Sequence, residues 1–214
     1  MKFLTDYDIV LKNDELINVA LTHSSYSNEC GGDNYERLEF LGDAILQAVS
    51  SEYFYLNTTL NEGDMSKIRA SYVCENALYE YSKKIGLIPY IKVGNGMDND
   101  NVTIVADIFE SVLAVIFLEL GFDVVKRYIL DVMVPYVDAN IVFYSDYKSH
   151  LQELVQTDKK ALEYRVVNES GPAHNKTFEV EVVVDGIVFG KGIGKSKKDA
   201  EQKAAHDAIK KQAK

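Results

Sequence analysis

The sequence predicts two unlike domains: an all-α unit over residues 1–145 and a small α+β unit of order α-β-β-β-α over residues 146–214. Two observations carry this. Apolar residues recur at helical spacing along the first stretch, and period-two alternation with a tight-turn dipeptide marks the second. Charge divides at the same place, with 10 Lys+Arg against 22 Asp+Glu in residues 1–145 and 13 against 11 in residues 146–214. The net charge of −10 thus joins an acidic half to a mildly basic one, and the mean does not exclude a polyanionic partner.

A chain of 214 residues is long enough to bury a core in each half. No apolar run long enough to span a membrane lacks a charge, and the acids that follow Met1-Lys2-Phe3-Leu4-Thr5 do not suit a secretory signal. Cys30 and Cys74 are too few for a disulfide framework and fit a reducing cytoplasm.

The first helix is read from Leu16, Ile17, Val19 and Ala20, with Asn13 or Asp14 as its cap. His23 follows as a lone histidine, expected to be structural, and Gly31-Gly32-Asp33 is a loop. Asn34 is placed to cap the next helix, whose apolar positions are Leu38, Leu41, Ile45 and Leu46. Glu36, Glu39 and Asp43 stand at i, i+3 and i+7 and share one face of it. A solvated acidic face would account for three such acids; a site for a hard divalent cation accounts for them as well.

Leu60 to Asp64 interrupts the pattern, and Asp64 or Ser66 is read as the cap of a helix running through Ala77, Leu78 and Tyr81 to Gly86. Gly94 to Asn101 is a polar loop. Its alternating Asp98 and Asp100 lack the closing glutamate of a calcium loop, so calcium is rejected. Ile104 to Leu118 is apolar almost all round and is predicted to be a buried helix, with Asp107 and Glu110 as its charges on one face. Burying unpaired carboxylates costs several kcal/mol, and the segment supplies no Lys or Arg to pair them, which favours metal over a salt bridge. The apolar strip from Tyr128 to Phe143 closes the unit.

The run Glu36-Arg37-Leu38-Glu39-Phe40-Leu41-Gly42-Asp43 resembles the motif of the ribonuclease III family, endonucleases that cut double-stranded RNA. Ala20 to Tyr26, Glu62 to Ala70 and the segment holding Asp107 and Glu110 resemble further stretches of that family. The resemblance implies that Glu39, Asp43, Asp107 and Glu110 hold Mg²⁺, with Mn²⁺ able to substitute, for metal-assisted phosphodiester hydrolysis. It implies supporting roles for Glu36 and Glu62, although Glu62 also suits a first helical turn. It further implies a homodimer through this domain, products with 5′-phosphate and 3′-hydroxyl ends, and a part in processing structured transcripts. Many relatives carry basic residues in the loop before Asp107. This chain has none between Val93 and Asp107, so phosphate contacts from that loop are not expected.

In the second unit a helix is read to bury Leu151, Leu154 and Val155 and to present Gln152, Glu153 and Gln156. Tyr164 to Val167 is a strand, Phe178 to Val184 alternates as a second, and Asp185-Gly186 turns into a third. Ser196 and Asp199 form a capping box for a helix to Lys211 that packs on Ala200, Ala204, Ala205 and Ala208. Lys195, Lys197 and Lys198 then crowd the positive end of that helix, where stability alone disfavours cations and phosphate binding favours them. Gly171-Pro172-Ala173-His174 and Lys195 to Glu201 resemble the specific parts of a double-stranded RNA-binding domain, a match that covers residues 146–214. It implies minor-groove contacts from Gln152, Glu153, Gln156 and the Gly171–His174 loop, and phosphate contacts from Lys195, Lys197 and Lys198. A dimer that binds duplex RNA without cutting it is the rival reading.

Overall fold

The computed structural model describes residues 1–144, 146–157, 161–172 and 176–212, and the chain forms two compact units, Met1–Ser145 and Asp146–Lys214. In the first unit, α1 (Lys2–Thr5), α2 (Asp14–Ala20), α3 (Ser24–Cys30), α4 (Glu36–Asn57), α5 (Glu62–Val73) and α6 (Glu75–Ile85) precede a short 3₁₀ turn at Ile88–Tyr90. The helices α7 (Val102–Leu120) and α8 (Phe122–Asp138) follow.

The all-round apolar segment is indeed the centre. Val105, Ile108, Val112, Leu113, Ala114, Val115 and Ile116 of α7 are fully buried, and α2, α4, α6 and α8 all pack on that helix. Burying each of the Val, Leu and Ile side chains among them stabilises the unit by roughly 1.5–3 kcal/mol. Helix α4 presents Leu38, Ile45, Leu46, Val49 and Phe54 to the same core.

Some local readings hold and others are corrected. Asn13 caps α2, accepting from the Glu15 and Leu16 N–H groups. Asn34 accepts the Glu36 N–H at 3.1 Å, but the residue preceding α4 is Tyr35. Asn61, rather than Asp64 or Ser66, caps α5 by accepting the Asp64 N–H. The expected single helix to Gly86 is two, divided at an extended Cys74. The hydroxyl of buried Tyr81 donates to the Tyr72 carbonyl at 3.0 Å, taking the acceptor that a continuous helix would offer to residue 76. Gly86 does end α6, in the left-handed conformation.

In the second unit, an antiparallel sheet of β1 (Leu162–Ser170), β2 (Thr177–Val184) and β3 (Ile187–Gly194), in the order β1-β2-β3, is packed through β2 and β3 by α10 (Lys197–Gln212), and α9 (Tyr147–Thr157) packs on α10. Asp185 and Gly186 both adopt positive φ and join Val184 to its partner Ile187. On β3, Gly190, Gly192 and Gly194 lie under α10; a Cβ on Gly192 would stand 2.2 Å from the Ala200 carbonyl oxygen. Ala200, Ala204, Ala205 and Ala208 are fully buried, as their spacing predicted. Leu154, expected in the core, is exposed, because the buried stripe of α9 runs through Tyr147, Leu151 and Val155 at i, i+4 and i+8. Val183, expected on the outer face of β2, is buried where a register shift between Val182 and Val183 breaks the alternation.

Candidate metal centre and nucleic-acid interface

The site begins with a glycine. A Cβ on Gly42 would stand 1.8 Å from the Glu110 carbonyl oxygen, so α4 and α7 meet backbone to backbone there. Glu39 and Asp43 flank that contact on α4, and Asp107 and Glu110 face them from α7.

Their charges report their proximity. Burial pushes the Glu110 carboxyl up to about 8, and the charges of Asp43, Asp107, Glu39 and Glu75 add to it. Glu39 is raised by burial and then by Asp107, Glu36 and Asp43. Asp107 is raised by burial and by Glu75, while a hydrogen bond from Tyr35 and the charge of His23 hold it down. Among the described residues no Lys or Arg forms an ion pair with any of the four. An all-oxygen donor set with unbalanced negative charge fits a hard divalent cation.

Among the described residues no three His, Cys, Asp or Glu side chains are already gathered into a metal-holding group. Two of the four carboxylates have other partners. Asp43 accepts from Gln47 at 3.2 Å, and Asp107 Oδ2 accepts from the Tyr35 hydroxyl at 3.0 Å.

Glu36 lies in the first turn of α4 and acts on Glu39 through its charge. Glu62 opens α5 and accepts the Ser66 hydroxyl at 3.1 Å; the charge that reaches Asp107 and Glu110 is that of Glu75, not Glu62. His23 caps α3 through the Ser25 N–H and stacks on Tyr35 with ring centroids 5.5 Å apart. The loop before α7 is held from behind: the Glu29 carboxylate accepts both the Asn95 N–H and its side-chain amide, and Tyr79 donates to Asp100.

In the second unit Gln152, Glu153 and Gln156 are exposed along α9. Gly171, at φ +92°, and Pro172 are exposed beyond β1; Ala173 and His174 lie outside the described residues. Lys195, Lys197 and Lys198 are exposed at the start of α10. There the Ser196 hydroxyl accepts the Asp199 N–H, and the Asp199 carboxylate accepts the Lys195 N–H, each at 3.1 Å.

A family model described as Ribonuclease-III-like matches residues 13–137, and one described as double-stranded RNA binding motif matches residues 147–212. The chain belongs to the ribonuclease III family. Ribonuclease 3 of Streptococcus pyogenes is 44% identical over 96% of this chain and 94% of its own length. Ribonuclease 3 of the Aster yellows witches'-broom phytoplasma is 43% identical over 97% and 89%. A solved nuclease domain of ribonuclease III from Campylobacter jejuni, described for flexibility in its region of dimer formation, covers 63% of this chain and 95% of its own. It superposes with a TM-score of 0.58 at 32% identity.

Three residues of this ribonuclease III site escape the sequence reading. Gly42 left a signal, since a glycine inside a helix costs about 1 kcal/mol against alanine and calls for a packing reason. Tyr35 reads as a core aromatic and Glu75 as a helix-interior acid, and neither pattern reveals what it faces.

Proposed function

We propose that this chain is a double-strand-specific endoribonuclease of RNA processing in which Glu39, Asp43, Asp107 and Glu110 hold divalent metal, Mg²⁺ or in its place Mn²⁺. The observation that carries the metal assignment is Glu110, a partly buried carboxyl facing three other acids, with no Lys or Arg ion-paired to it among the described residues. A divalent ion bound there supplies Lewis acidity at the scissile phosphate and makes water ionise near neutral pH. The protein's part is electrostatic and positional. The Gly42 contact sets the two pairs of acids face to face, and the apolar body of α7 fixes Asp107 and Glu110. Glu36 and Glu62 keep the supporting roles that the resemblance implies, and the charge of Glu75 also reaches Glu110. Hydrolysis leaves 5′-phosphate and 3′-hydroxyl ends.

The second unit supplies the grip. Exposed Gln152, Glu153 and Gln156 suit the minor groove, together with the loop from Gly171 through Pro172, Ala173 and His174. Lys195, Lys197 and Lys198 at a helix N-terminus suit phosphates. The nuclease unit pairs with a second copy; Phe40, 82% exposed one residue from Glu39, is the kind of apolar side chain a partner covers. Among the described residues no helix is long and apolar enough to cross a membrane. Both cysteines are free thiols, which suits a cytoplasmic enzyme.

The test is Glu110→Gln. It should abolish cleavage of a long RNA duplex while leaving retardation of that duplex in a gel unchanged. A variant that cuts normally sinks the assignment of Glu110, and a wild-type protein that only binds would favour the rival, a non-cutting duplex binder.

A further inference from the structure

One hydrogen bond at the site comes from a residue outside the matching motif. The Tyr35 hydroxyl donates to Asp107 Oδ2 at 3.0 Å, which leaves Asp107 Oδ1 without that constraint. Tyr35 is itself immobilised from several sides. Its ring is buried and stacks on His23 at an interplanar angle of 19°. Its N–H donates to the Thr22 carbonyl at 3.0 Å, and its own carbonyl accepts the Leu38 and Glu39 N–H groups, each at 2.9 Å. His23 is fixed in turn, its N–H donating to the Lys92 carbonyl and its Nδ1 lying 2.8 Å from the Ser25 hydroxyl oxygen. That same hydroxyl accepts the Gly94 N–H at 2.9 Å. A continuous set of contacts therefore runs from the loop before α7, through Ser25, His23 and Tyr35, to one oxygen of Asp107.

We propose that Tyr35 is a positioning residue for the metal centre, holding Asp107 Oδ2 by its hydroxyl so that Oδ1 is turned toward the cation, with His23 bracing the Tyr35 ring. The inference rests on the reading that Asp107 ligates metal. The chemistry supports it in two ways. A phenol donates one hydrogen bond and brings no charge, so it orients a carboxylate without neutralising it as a lysine or arginine would. Tyr35 also immediately precedes α4, the helix that carries Glu39 and Asp43, so one residue ties the α7 half of the site to the α4 half. Groups that orient a metal ligand in this way change metal affinity by about 10–100-fold when removed.

Tyr35→Phe keeps the ring and its stacking and deletes only the donor. Mn²⁺ binding to the RNA-free protein, followed by electron paramagnetic resonance, should weaken about tenfold or more. Thermal melting in EDTA and gel retardation of duplex RNA should stay at the wild-type values. Half-maximal cleavage should need correspondingly more Mg²⁺, with the KM for RNA unchanged. A double-mutant cycle separates positioning from a general loss of packing: in an Asp107→Asn background, Tyr35→Phe should have no further effect on Mn²⁺ binding. Unchanged Mn²⁺ affinity in Tyr35→Phe, or an equal loss with and without the Asp107 carboxylate, overturns the proposal. Failure of the wild-type protein to bind Mn²⁺ would instead overturn the metal assignment itself, so the two readings fail by different results.

Discussion

Glu110 carries the clearest consequence at the scale of a single residue. Burial and the facing acids hold its carboxyl up to about 8, against about 4.5 for an ordinary glutamate. In metal-free protein the unfolded chain releases this proton as pH rises through about 4.5, whereas the folded chain keeps it to about 8. The stability this group contributes is therefore present below pH 4.5 and is lost between about 4.5 and 8. Melting in EDTA across that window should show a fall in stability that Glu110→Gln flattens, since the amide cannot ionise. An identical pH slope in the two proteins would contradict the assignment. The residues whose chemistry is carried by type and spacing are legible in the chain alone: Glu39, Asp43, Asp107 and Glu110 stand out as acids on shared faces, one pair in an apolar run. Tyr35 and Glu75 are not, because a role created by what faces a side chain across the fold leaves no mark on local periodicity.

At the scale of elements, the site depends on how closely two helices approach. Replacing Gly42 with alanine would gain about 0.5–1 kcal/mol in helix propensity. Overpacking costs about 1–3 kcal/mol, and the new methyl would overlap a backbone oxygen that cannot rotate away, so the clash wins. Gly42→Ala should therefore lower the melting temperature and also weaken metal-dependent cleavage, by parting the two acid pairs. A variant as stable as wild type would show that α4 and α7 are not in the contact described. Element type is readable where the local pattern is unambiguous: the long all-round apolar run of α7, the alanine spacing of α10 and the turn dipeptide of the hairpin at Asp185-Gly186. It fails where tertiary contacts decide. The break at Cys74 is set by a tyrosine reaching the Tyr72 carbonyl from α6, and the burial of Val183 by a shift in strand register. Leu154 faces solvent because it lies off the stripe of Tyr147, Leu151 and Val155 by which α9 packs.

For the whole molecule, the division of charge is the organising fact. On the proposed reading, the acidic helical unit carries the metal-holding carboxylates and does the cutting, and the mildly basic unit, with lysines at a helix N-terminus, does the gripping. Neither half has a use for its charge pattern without a polyanion that must be both held and hydrolysed. The acidic loop before α7 is pinned by Glu29 and Tyr79 and carries no Lys or Arg between Val93 and Asp107. The central claim is metal-dependent cutting of duplex RNA by the whole chain. Its most direct test is cleavage of a long end-labelled RNA duplex by the purified protein in Mg²⁺ and in EDTA, with single-stranded RNA and duplex DNA as controls. The account predicts cutting of the RNA duplex alone, in Mg²⁺ alone, with 5′-phosphate and 3′-hydroxyl ends. A duplex that is retarded but left intact in both Mg²⁺ and Mn²⁺ would contradict it.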